Sequence, residues 1–437
     1  MKIFGAWPPD LTEANVFRPF PSFGKALIAW LVTCHVFALA ATETVLHNFG
    51  AHSDGSEPAA GLVLDSQGNL YGTTLYGGLP CLGGLGCGVV FQLRPSGDGS
   101  WTEYLLYSFS GTDGERPNST PVFDTRGNLY SSTAASTTTG YGNVFELTPQ
   151  LDGSWKETIL HAFTGGPDGG YPHAVALDAG GRLYGTTSFD ASGYAGVFSL
   201  TPISVGRWYE LVLHSFSGVR GGDGDPVGRL TFDAYGNIYG TTYDGGANGA
   251  GTVFKLTPSQ GRQGWTETVL YAFQGTAFGK GPDGANPYAG LVFDGMGNLY
   301  GTTEWGGASG LGTIFRLKPN FDGTWTETLL YAFLGGHDGG HPRALLTLDD
   351  GGSLYGTTTG GIGTADCPSP ANYGTVFKLT PGADQWNETV LYEFQGGLDG
   401  NTPVSGVVRD SSGNLYGTTV YGGTYGSSGG VVYEITP

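Results

Sequence analysis

Four short segments within residues 290–333 decide the fold, because the chain repeats them seven times. In the fifth copy they read Gly290-Leu-Val-Phe-Asp294, Leu299-Tyr-Gly-Thr-Thr303, Gly312-Thr-Ile-Phe-Arg-Leu-Lys-Pro319 and Trp325-Thr-Glu-Thr-Leu-Leu-Tyr-Ala-Phe333. Each segment is rich in β-branched and aromatic residues and is bounded by Gly, Pro, Asn or Asp, which is typical of a β-strand. The repeat unit therefore contains four predicted strands.

The turn between the first two segments marks the register of the repeat. It reads Asp-x-x-Gly-x-Leu-Tyr, with Ile in place of Leu once, and its Asn and Gly residues accept the positive φ of a tight turn. Successive copies are 54 to 61 residues apart. Seven units of four strands predict an all-β fold, a seven-bladed β-propeller with four antiparallel strands per blade. The copies are Asp65–Tyr71, Asp124–Tyr130, Asp178–Tyr184, Asp233–Tyr239, Asp294–Tyr300, Asp349–Tyr355 and Asp410–Tyr416.

The two ends of the repeat region are incomplete units that complement each other. The region opens with Glu43-Thr-Val-Leu-His-Asn-Phe49, which matches the fourth segment and has no unit before it. It finishes with Gly430-Val-Val-Tyr-Glu-Ile-Thr-Pro437, which matches the third segment and has no fourth segment after it. We therefore expect the N-terminal strand to pair with the C-terminal one, which completes the seventh blade and closes the ring.

Residues 1–40 are predicted to be a signal peptide. Lys25 precedes an apolar run, and Ala38-Leu-Ala40 has the small residues that signal peptidase requires, which places cleavage before Ala41. A membrane anchor is the alternative, but the run is short for the ~20 residues of a membrane span. The sequence thus predicts a secreted, periplasmic or cell-surface bacterial protein, with a propeller at residues 41–437 and no stable membrane insertion after cleavage.

Three cysteines follow the predicted cleavage site. Cys81 and Cys87 flank Leu-Gly-Gly-Leu-Gly, and in an oxidising compartment we expect them to close a small loop disulfide. Cys367 has no histidine near it in the sequence and is interpreted as a spare thiol in a long loop.

Composition and charge exclude several classes of protein. Gly contributes 80 of 437 residues and the formal net charge is −19. Equal shares of charged and aromatic residues, 13% each, exclude a disordered polyampholyte. The acidic balance argues against nucleic acid or an anionic membrane as partner.

The sequence motifs of the repeats resemble those of a known bacterial family. Gly-Leu-Val-x-Asp, Gly-Asn-Leu-Tyr-Gly-Thr-Thr, Gly-Thr-Val-Phe-Lys-Leu-Thr-Pro and Trp-x-Glu-Thr-Val-Leu-Tyr-x-Phe are similar to the motifs of exported choice-of-anchor tandem repeat GloVer-containing proteins, over essentially all of residues 42–437. The resemblance implies a secreted or surface array of NHL-like β-propeller repeats without an assigned activity. The metal and catalytic positions of NHL-type and gluconolactonase-type propellers have no clear counterpart in this sequence.

The strand order sorts the loops onto two faces. One face collects the Asp-x-x-Gly turns and the short hairpins that follow the third segments, and the other collects the connectors between units and the variable loops between second and third segments. Function on β scaffolds tends to reside in variable loops on a rigid frame. Aromatic residues among Gly, Ser, Thr and Asn suit sugar rings, although wedging between blades is the alternative. The predicted ligand-binding residues are Tyr76, Tyr141, Tyr194, Tyr243, Trp305, Tyr373 and Tyr421, with Phe189 and Tyr425 in the same loops.

Each connector between units carries an aspartate followed by glycine. Seven carboxylates around a central channel would suit Ca²⁺, but aspartate that accepts hydrogen bonds from its own turn is the favoured interpretation. The same interpretation applies to Asp65 and its six equivalents. The connector aspartates are Asp54, Asp113, Asp168, Asp223, Asp283, Asp338 and Asp399.

The leading functional hypothesis is an exported, non-enzymatic binding or scaffold protein whose ligand is a polysaccharide or a surface protein. A glycan hydrolase or lyase with Asp or Glu at the channel mouth is one alternative, and a structural component of a surface array is another. The sequence contains neither a Gly-x-Ser-x-Gly nucleophile motif nor a phosphate-binding Gly-x-x-x-x-Gly-Lys loop. We therefore predict no catalytic residues, no metal site and no cofactor, and the sequence favours no particular oligomeric state.

Overall fold

The computed structural model describes the chain from residue 41 onwards, with internal gaps. The predicted signal peptide lies outside the described residues. In the described part, no helix is both long and apolar enough to cross a membrane. The described residues are 41–50, 53–81, 84–188, 194–204, 206–217, 224–259, 264–276, 279, 281–360 and 373–437.

Strands β1 to β31 are numbered in chain order, and each blade has a first strand nearest the propeller axis. The first strands are β2 (Val63–Leu64), β7 (Val122–Phe123), β11 (Gly170–Leu177), β15 (Pro226–Phe232), β20 (Val292–Phe293), β25 (Thr347–Leu348) and β29 (Val408–Arg409). The second strands are β3 (Leu70–Thr74), β8 (Leu129–Ala135), β12 (Leu183–Ser188), β16 (Ile238–Thr242), β21 (Leu299–Thr303), β26 (Leu354–Thr358) and β30 (Leu415–Thr419).

The outer half of each blade is a longer hairpin. Its third strands are β4 (Val89–Pro95), β9 (Asn143–Pro149), β13 (Tyr194–Ser204), β17 (Thr252–Pro258), β23 (Thr313–Pro319), β27 (Thr375–Pro381) and β31 (Val431–Thr436). Its fourth strands are β5 (Trp101–Ser108), β10 (Trp155–Ala162), β14 (Arg207–Ser217), β18 (Trp265–Ala272), β24 (Trp325–Ala332), β28 (Trp386–Glu393) and β1 (Thr42–Asn48). Connectors and loops add β6 (Glu115–Pro117), β19 (Gly281–Ala285), β22 (Trp305–Gly307) and two short 3-10 helices, Gly336–Asp338 and Gly423–Ser428.

Seven sheets contain these strands in the order expected of a propeller. In each, the first strand pairs with the second, the second with the third and the third with the fourth, all antiparallel. The prediction of an all-β, seven-bladed β-propeller with four antiparallel strands per blade is therefore confirmed.

The seventh blade is completed by the N-terminal strand, as predicted. Strand β1 pairs antiparallel with β31, from Thr42 opposite Thr436 to Asn48 opposite Val431. Phe49, which follows β1, is fully buried and packs with residues of blade 1. The two ends of the repeat region thus form one blade and close the ring.

The hydrophobic core lies between neighbouring blades. Tyr300 of blade 5, for example, packs in one cluster with Leu354 and Phe377 of blade 6. Its hydroxyl donates to Asp294 at 3.1 Å, so the polar end of the ring is also satisfied. The repeated tyrosine is thus wedged between neighbouring blades.

The first strands are shorter than their apolar sequences suggest, since five of the seven have only two residues. Before these strands the backbone bonds to the neighbouring blade instead of to its own sheet. The Thr241 hydroxyl of blade 4 donates to the Ala289 carbonyl of blade 5 at 2.8 Å, and Thr357 donates to the Ser405 carbonyl in the same way. This contact gives the first threonine of the Gly-Thr-Thr motif a structural role.

The glycine of the second strand is needed for close packing. An added Cβ at Gly301 would lie 2.6 Å from Cζ of Phe315 and 2.9 Å from Cδ2 of Leu291, and Phe315 is fully buried. We expect Gly301→Ala to destabilise the protein by about 1–3 kcal/mol, because a packed core resists an added methyl group. Urea unfolding measures this loss. Gly295→Ala, with no atom within 4 Å of the added Cβ, is the control, and equal stability of the two variants would contradict this account.

Candidate functional site

The two ends of the propeller axis differ in their lining. On the face with the Asp-x-x-Gly turns, here called the turn face, lies a depression of about 590 Å³. On the face with the inter-blade connectors, the connector face, lies one of about 370 Å³. Thr120 and Arg229 line both. The connector-face depression is lined mainly by residues that closely follow the proline of each connector, including Asn118, His173, Tyr288 and Arg343.

Five side chains from three consecutive blades meet beside this depression, and we call them the blade 4–6 cluster: Tyr243, Tyr288, Glu304, Trp305 and Arg343. The Tyr243 hydroxyl donates to Oε2 of Glu304 at 3.1 Å, and Nη2 of Arg343 donates to Oε1 of Glu304 at 2.5 Å. The Arg343 guanidinium lies 5.4 Å from the centre of the Tyr288 ring. Tyr288 in turn meets the Tyr243 ring edge-on at 5.8 Å. One carboxylate therefore links blades 4, 5 and 6.

The cluster combines a buried charge with exposed binding groups. Only 2% of the Glu304 side chain is exposed, whereas Arg343 is 40% and Tyr288 39% exposed. Burial, and then the charge of Glu304, raise the pKa of Tyr243, so that its hydroxyl remains a donor. Burial alone would lower the pKa of Arg343, but the hydrogen bond and charge of Glu304 hold it above its ordinary value. Arg343 therefore keeps its charge at the edge of an open depression.

Trp305 is held in this cluster by the connector of blade 6. The His341 ring meets the indole at 4.3 Å, and Nδ1 of His341 lies 3.1 Å from the Glu304 carbonyl oxygen. Burial is the main cause that lowers the pKa of His341, so the ring is neutral at neutral pH. Tyr243 and Trp305, two of the predicted ligand-binding residues, thus belong to one arrangement.

A ring of unusual backbone conformations supports the connector face. Six non-glycine residues have φ between 50° and 59°, and each immediately precedes a proline. Such a conformation is strained for residues with side chains and persists only where surrounding contacts hold it. Here each N–H donates to a carbonyl of the preceding blade at 2.7–2.9 Å. The six residues are Glu57, Arg116, Tyr171, Asn286, His341 and Thr402.

Tyr76 and Tyr421 lie in a second part of the connector face, at blades 1 and 7. The Arg116 guanidinium is 5.7 Å from the centre of the Tyr76 ring. Burial, followed by the charges of Glu57 and Tyr76, raises the pKa of Tyr421. The backbones of both tyrosines bridge to the connectors of their own blades. Ligand binding by this pair stays a prediction.

Tyr141 and Tyr373 occupy positions between blades. Tyr141 packs against the cluster that joins blades 2 and 3, and its carbonyl accepts the N–H of Tyr171 at 2.8 Å. Tyr373 packs between blades 6 and 7, and its carbonyl accepts the N–H of Thr402. These contacts match the alternative interpretation of the aromatic residues. Ligand contact by these two tyrosines stays a prediction.

Several other sequence predictions concern loops of the connector face. Cys81 and Cys87 form a disulfide with their Cα atoms 5.6 Å apart, in the loop between β3 and β4. Tyr194 begins β13, but its side chain lies outside the described residues. Phe189, Asp223 and Cys367 lie outside them as well.

The six connector aspartates that the structure describes lie at the perimeter and not around the channel, which corrects the placement inferred from the sequence. Asp113 accepts the N–H of Ser110 at 2.8 Å and the hydroxyl of Tyr107, at the end of a fourth strand, at 2.6 Å. Asp338 is bonded in the same way to Leu334 and Tyr331. The interpretation that these carboxylates accept hydrogen bonds from their own turns is confirmed at these positions.

Each described connector aspartate also faces a glutamate from the fourth strand of the next blade, and we call this contact a perimeter seam. Burial, and then the charge of Asp113, raise the pKa of Glu157 to about 7. Burial and the charge of the facing Asp54 likewise raise the pKa of Glu103 to about 8. The other pairs, with glutamate pKa values of about 7, are Glu43 with Asp399, Glu210 with Asp168, Glu327 with Asp283 and Glu388 with Asp338.

One seam brings together three groups of the kind that bind metal ions. Ligand atoms of His47, Asp54 and Glu103 lie within 4.8 Å of one another. At four other seams a tyrosine takes the place of the histidine and donates its hydroxyl to the aspartate at 2.5–3.1 Å. The shared role of this position is therefore contact with the connector aspartate at a seam between blades.

The aspartates of the turn face form their turns, as predicted. Oδ1 of Asp65 accepts the N–H groups of Gln67 and Asn69 at 2.8 and 2.9 Å, and Oδ2 accepts the Tyr71 hydroxyl. Burial alone would raise the pKa of Asp65, but the hydrogen bonds from Asn69, Gln67 and Tyr71 outweigh it and leave the pKa lowered. These carboxylates are thus fully engaged within their own turns.

The residues that follow the connector prolines were not predicted from the sequence as part of the site. Tyr288 and Arg343 occupy this position in blades 5 and 6, and Arg229 lies two residues beyond it in blade 4. A signal exists within the single sequence: the proline itself recurs in all seven connectors, while the residue after it differs widely. The seven residues are Ala59, Asn118, His173, Val227, Tyr288, Arg343 and Val404.

Comparison with known proteins identifies the fold and a family. No curated protein matches the sequence significantly. The extracellular domain of a putative one component system from B. thetaiotaomicron is similar in structure, with a TM-score of 0.51 and 12% identity over 91% of this chain and 42% of that chain. A gluconolactonase from Xanthomonas campestris is 15% identical, with a TM-score of 0.41 over 74% of this chain and 87% of that chain. At these identities the similarity to the extracellular domain shows the fold alone.

The family described as the Gloeobacter/Verrucomicrobia repeat matches residues 81–280 and 276–437. These two matches cover blades 2 to 6 completely, the outer two strands of blade 1, and three of the four strands of blade 7. Because they span well over half of the chain, the protein belongs to the Gloeobacter/Verrucomicrobia repeat family.

Proposed function

We propose that this protein is an exported, non-enzymatic binding protein that captures an extracellular polysaccharide on its connector face. The observation that carries this proposal is the blade 4–6 cluster, where an exposed tyrosine ring and an exposed guanidinium border an open depression. Sugar rings present apolar C–H faces to aromatic rings and hydroxyl groups to charged partners. Tyr288 and Arg343 offer these two kinds of contact side by side.

The rigidity of the cluster supports a binding role. Glu304 is bonded to Tyr243 of the preceding blade and to Arg343 of the following blade, so that no large rearrangement is needed before a ligand binds. Preorganised groups bind more tightly because less conformational entropy is lost on association. A rigid propeller with a preformed depression fits ligand capture.

Export is the second part of the proposal. The sequence predicts a signal peptide at residues 1–40, and a disulfide joins Cys81 and Cys87. Disulfides of this kind form and persist in oxidising compartments outside the cytosol. Both observations support a secreted, periplasmic or surface location.

A glycan hydrolase or lyase is the alternative function. Such an enzyme commonly uses two carboxyl groups that flank the scissile bond. At the described edge of the depression, the Glu304 carboxylate is bonded to Arg343 and Tyr243. A second nearby carboxylate is that of Asp225. Burial is the main cause that raises the pKa of Tyr288, and the charge of Asp225 adds to this shift. Release of new reducing ends from a bound polysaccharide would support the enzyme and contradict the non-enzymatic proposal.

Substitution of the exposed ring tests the site. A glycan array with the purified protein, run with and without a chelator, identifies the ligand. We expect Tyr288→Ala to weaken binding of that ligand about tenfold or more, because ring contacts contribute about 1 kcal/mol beyond area burial. Tyr235→Ala is the matched control, since this tyrosine is 88% exposed on the turn face. Equal affinities of the two variants would overturn the proposed location.

A further inference from the structure

The connector-face depression is basic although the protein is strongly acidic. The chain has 38 acidic and 19 basic residues. The described residues that line the depression nevertheless include two arginines, Arg229 and Arg343, and no aspartate or glutamate. Charge of this sign in an acidic protein attracts anionic groups to one place on its surface.

Arg229 is brought into the channel by a local irregularity of its strand. In β15, Val227 pairs with Thr241 and Thr231 pairs with Tyr239, so three residues of β15 stand opposite one residue of β16. Such a bulge turns side chains away from the regular alternation of a strand. Arg229 consequently lines both the connector-face and the turn-face depressions.

The charge of Arg229 is uncompensated. No carboxylate lies within ion-pair distance of its guanidinium in the part of the chain that the structure describes. Burial alone lowers its pKa, and no neighbouring charge contributes to the shift. A partly buried cation without a counter-charge is costly, and an incoming anion would remove that cost.

The position of Arg229 is special within the repeat. The equivalent residues of the other six blades are small or apolar and carry no charge. They are Gly61, Thr120, Val175, Gly290, Leu345 and Gly406. A structural role shared by all blades therefore does not explain this arginine.

Neighbouring groups add donors for the same ligand. Nε of Arg343 is buried and has no hydrogen-bond partner among the described residues, although Nη2 of the same side chain is paired with Glu304. His173 lies on the same lining, with its Nε2 at 2.5 Å from Oγ of Ser188. The depression thus holds one free cation and one further free donor.

We propose that this depression binds the carboxylate group of an acidic saccharide, with Arg229 as the principal partner and Arg343 as the second. Guanidinium groups match the planar geometry of carboxylates and bind them through paired hydrogen bonds. This inference rests on the proposed function and names its ligand class: a polysaccharide that contains uronic acid residues. The aromatic ring of Tyr288 lies on the same rim for the sugar ring of that residue.

Titration calorimetry on the full protein tests the inference with two probes, a short oligogalacturonate and the same oligomer after reduction of its carboxyl groups to alcohols. We expect the acidic oligomer to bind at least about tenfold more tightly than the reduced one. Arg229→Gln should remove this difference in affinity, because it weakens the binding of the acidic oligomer only. Arg126→Gln is the matched control, because Arg126 is an exposed arginine on the turn face paired with Asp124.

The outcomes separate this inference from the proposed function. Equal affinity of the unaltered protein for both oligomers, or an unchanged preference in Arg229→Gln, overturns the carboxylate site while glycan capture stands. If neither oligomer binds and no glycan on the array binds, both the carboxylate site and the proposed glycan capture are overturned. If Arg229→Gln does not fold, Arg229→Lys is used: it keeps the charge but not the paired hydrogen bonds, and an unaltered affinity for the acidic oligomer would contradict the role of the guanidinium. Competition by inorganic phosphate, an anion without a sugar, is a further measurement. We expect phosphate to displace the acidic oligomer from the unaltered protein but not from Arg229→Gln.

Discussion

Deletion of residues 42–48 from the chain is expected to lower the melting temperature by about 10 °C or more, or to abolish cooperative unfolding altogether. This segment is strand β1, which forms the outer strand of blade 7 and pairs with β31 over six positions. Val45 and Leu46 pack against the clusters on either side of that blade. These two half-buried side chains contribute about 1 kcal/mol each, and with the hydrogen bonds of the six paired positions the loss is on the order of 5–10 kcal/mol. Whole proteins have stabilities of that size.

A rearranged chain provides the control for this deletion. The sequence 42–48 is moved to follow Pro437 through a copy of the hairpin 150–154, which links a third to a fourth strand in blade 2. We expect this variant to regain most of the lost melting temperature, because the strand can again pair with β31. Calorimetry measures both variants. An unchanged melting temperature after the deletion would show that ring closure by β1 contributes little to stability.

The fold was predictable because every blade repeats the same local signals. The Asp-x-x-Gly turn, the Tyr-Gly-Thr-Thr strand and the Trp-x-Glu-Thr strand each indicate one element without information from the rest of the chain. Closure was predictable because the two ends match different segments of the same unit. The shortening of first strands such as β20 was not predictable, since it depends on bonds from the Gly-Thr-Thr threonines of the neighbouring blade.

The candidate site was predictable only in part, because it depends on contacts between blades. Tyr243 and Trp305 were identified as aromatic residues of variable loops, and they do lie together. Tyr141 and Tyr373 satisfy the same rule of composition but pack between blades. The proline of each connector is typical of a turn in the sequence, and this pattern does not mark the residues after it, Arg229, Tyr288 and Arg343, as binding residues. Their approach to one depression results from the geometry of the ring, which no local pattern contains.

The stability of the protein is expected to fall as the pH rises from 6 to 8.5. At six perimeter seams, burial and then a facing aspartate raise the pKa of a glutamate from about 4.5 to about 7 or 8. A group whose pKa is raised by folding stabilises the folded state below its unfolded pKa, and this contribution is lost as the pH rises through the folded pKa. Both acids of each seam are then charged, and neighbouring blades repel each other.

Buried histidines have the opposite effect and set the lower pH limit of maximal stability. Burial lowers the pKa of His47 and His173 to about 4, and His161 and His341 are lowered in the same direction. These histidines favour the folded state above pH 6.5 and destabilise it as the pH falls below that value. We therefore expect maximal stability at about pH 5–6.5. Above about pH 7.5 these four histidines are neutral in both the folded and the unfolded state, so the further loss of stability comes from the glutamates.

The size of the effect is large because the same contact recurs around the ring. Six glutamates, each contributing less than about 1 kcal/mol after allowance for solvent screening, give a loss on the order of 3–5 kcal/mol between pH 6 and 8.5. Urea unfolding at a series of pH values measures it. Glu157→Gln should flatten the curve by about one sixth and stabilise the protein at pH 8.5 but not at pH 5, because the amide faces Asp113 and Tyr107 without gaining charge.

Asp152→Asn separates the seams from a general effect of net charge. Asp152 is exposed in a hairpin, and hydrogen bonds from Ser154 lower its pKa, so it stays ionised throughout the window. Like Glu157→Gln, this substitution removes one negative charge at pH 8.5 from a protein that already carries a large excess of them. If both variants flatten the curve equally, net repulsion and not the seams governs the pH dependence. If only Glu157→Gln does so, the ring is held together at its perimeter by protonated glutamates between the blades.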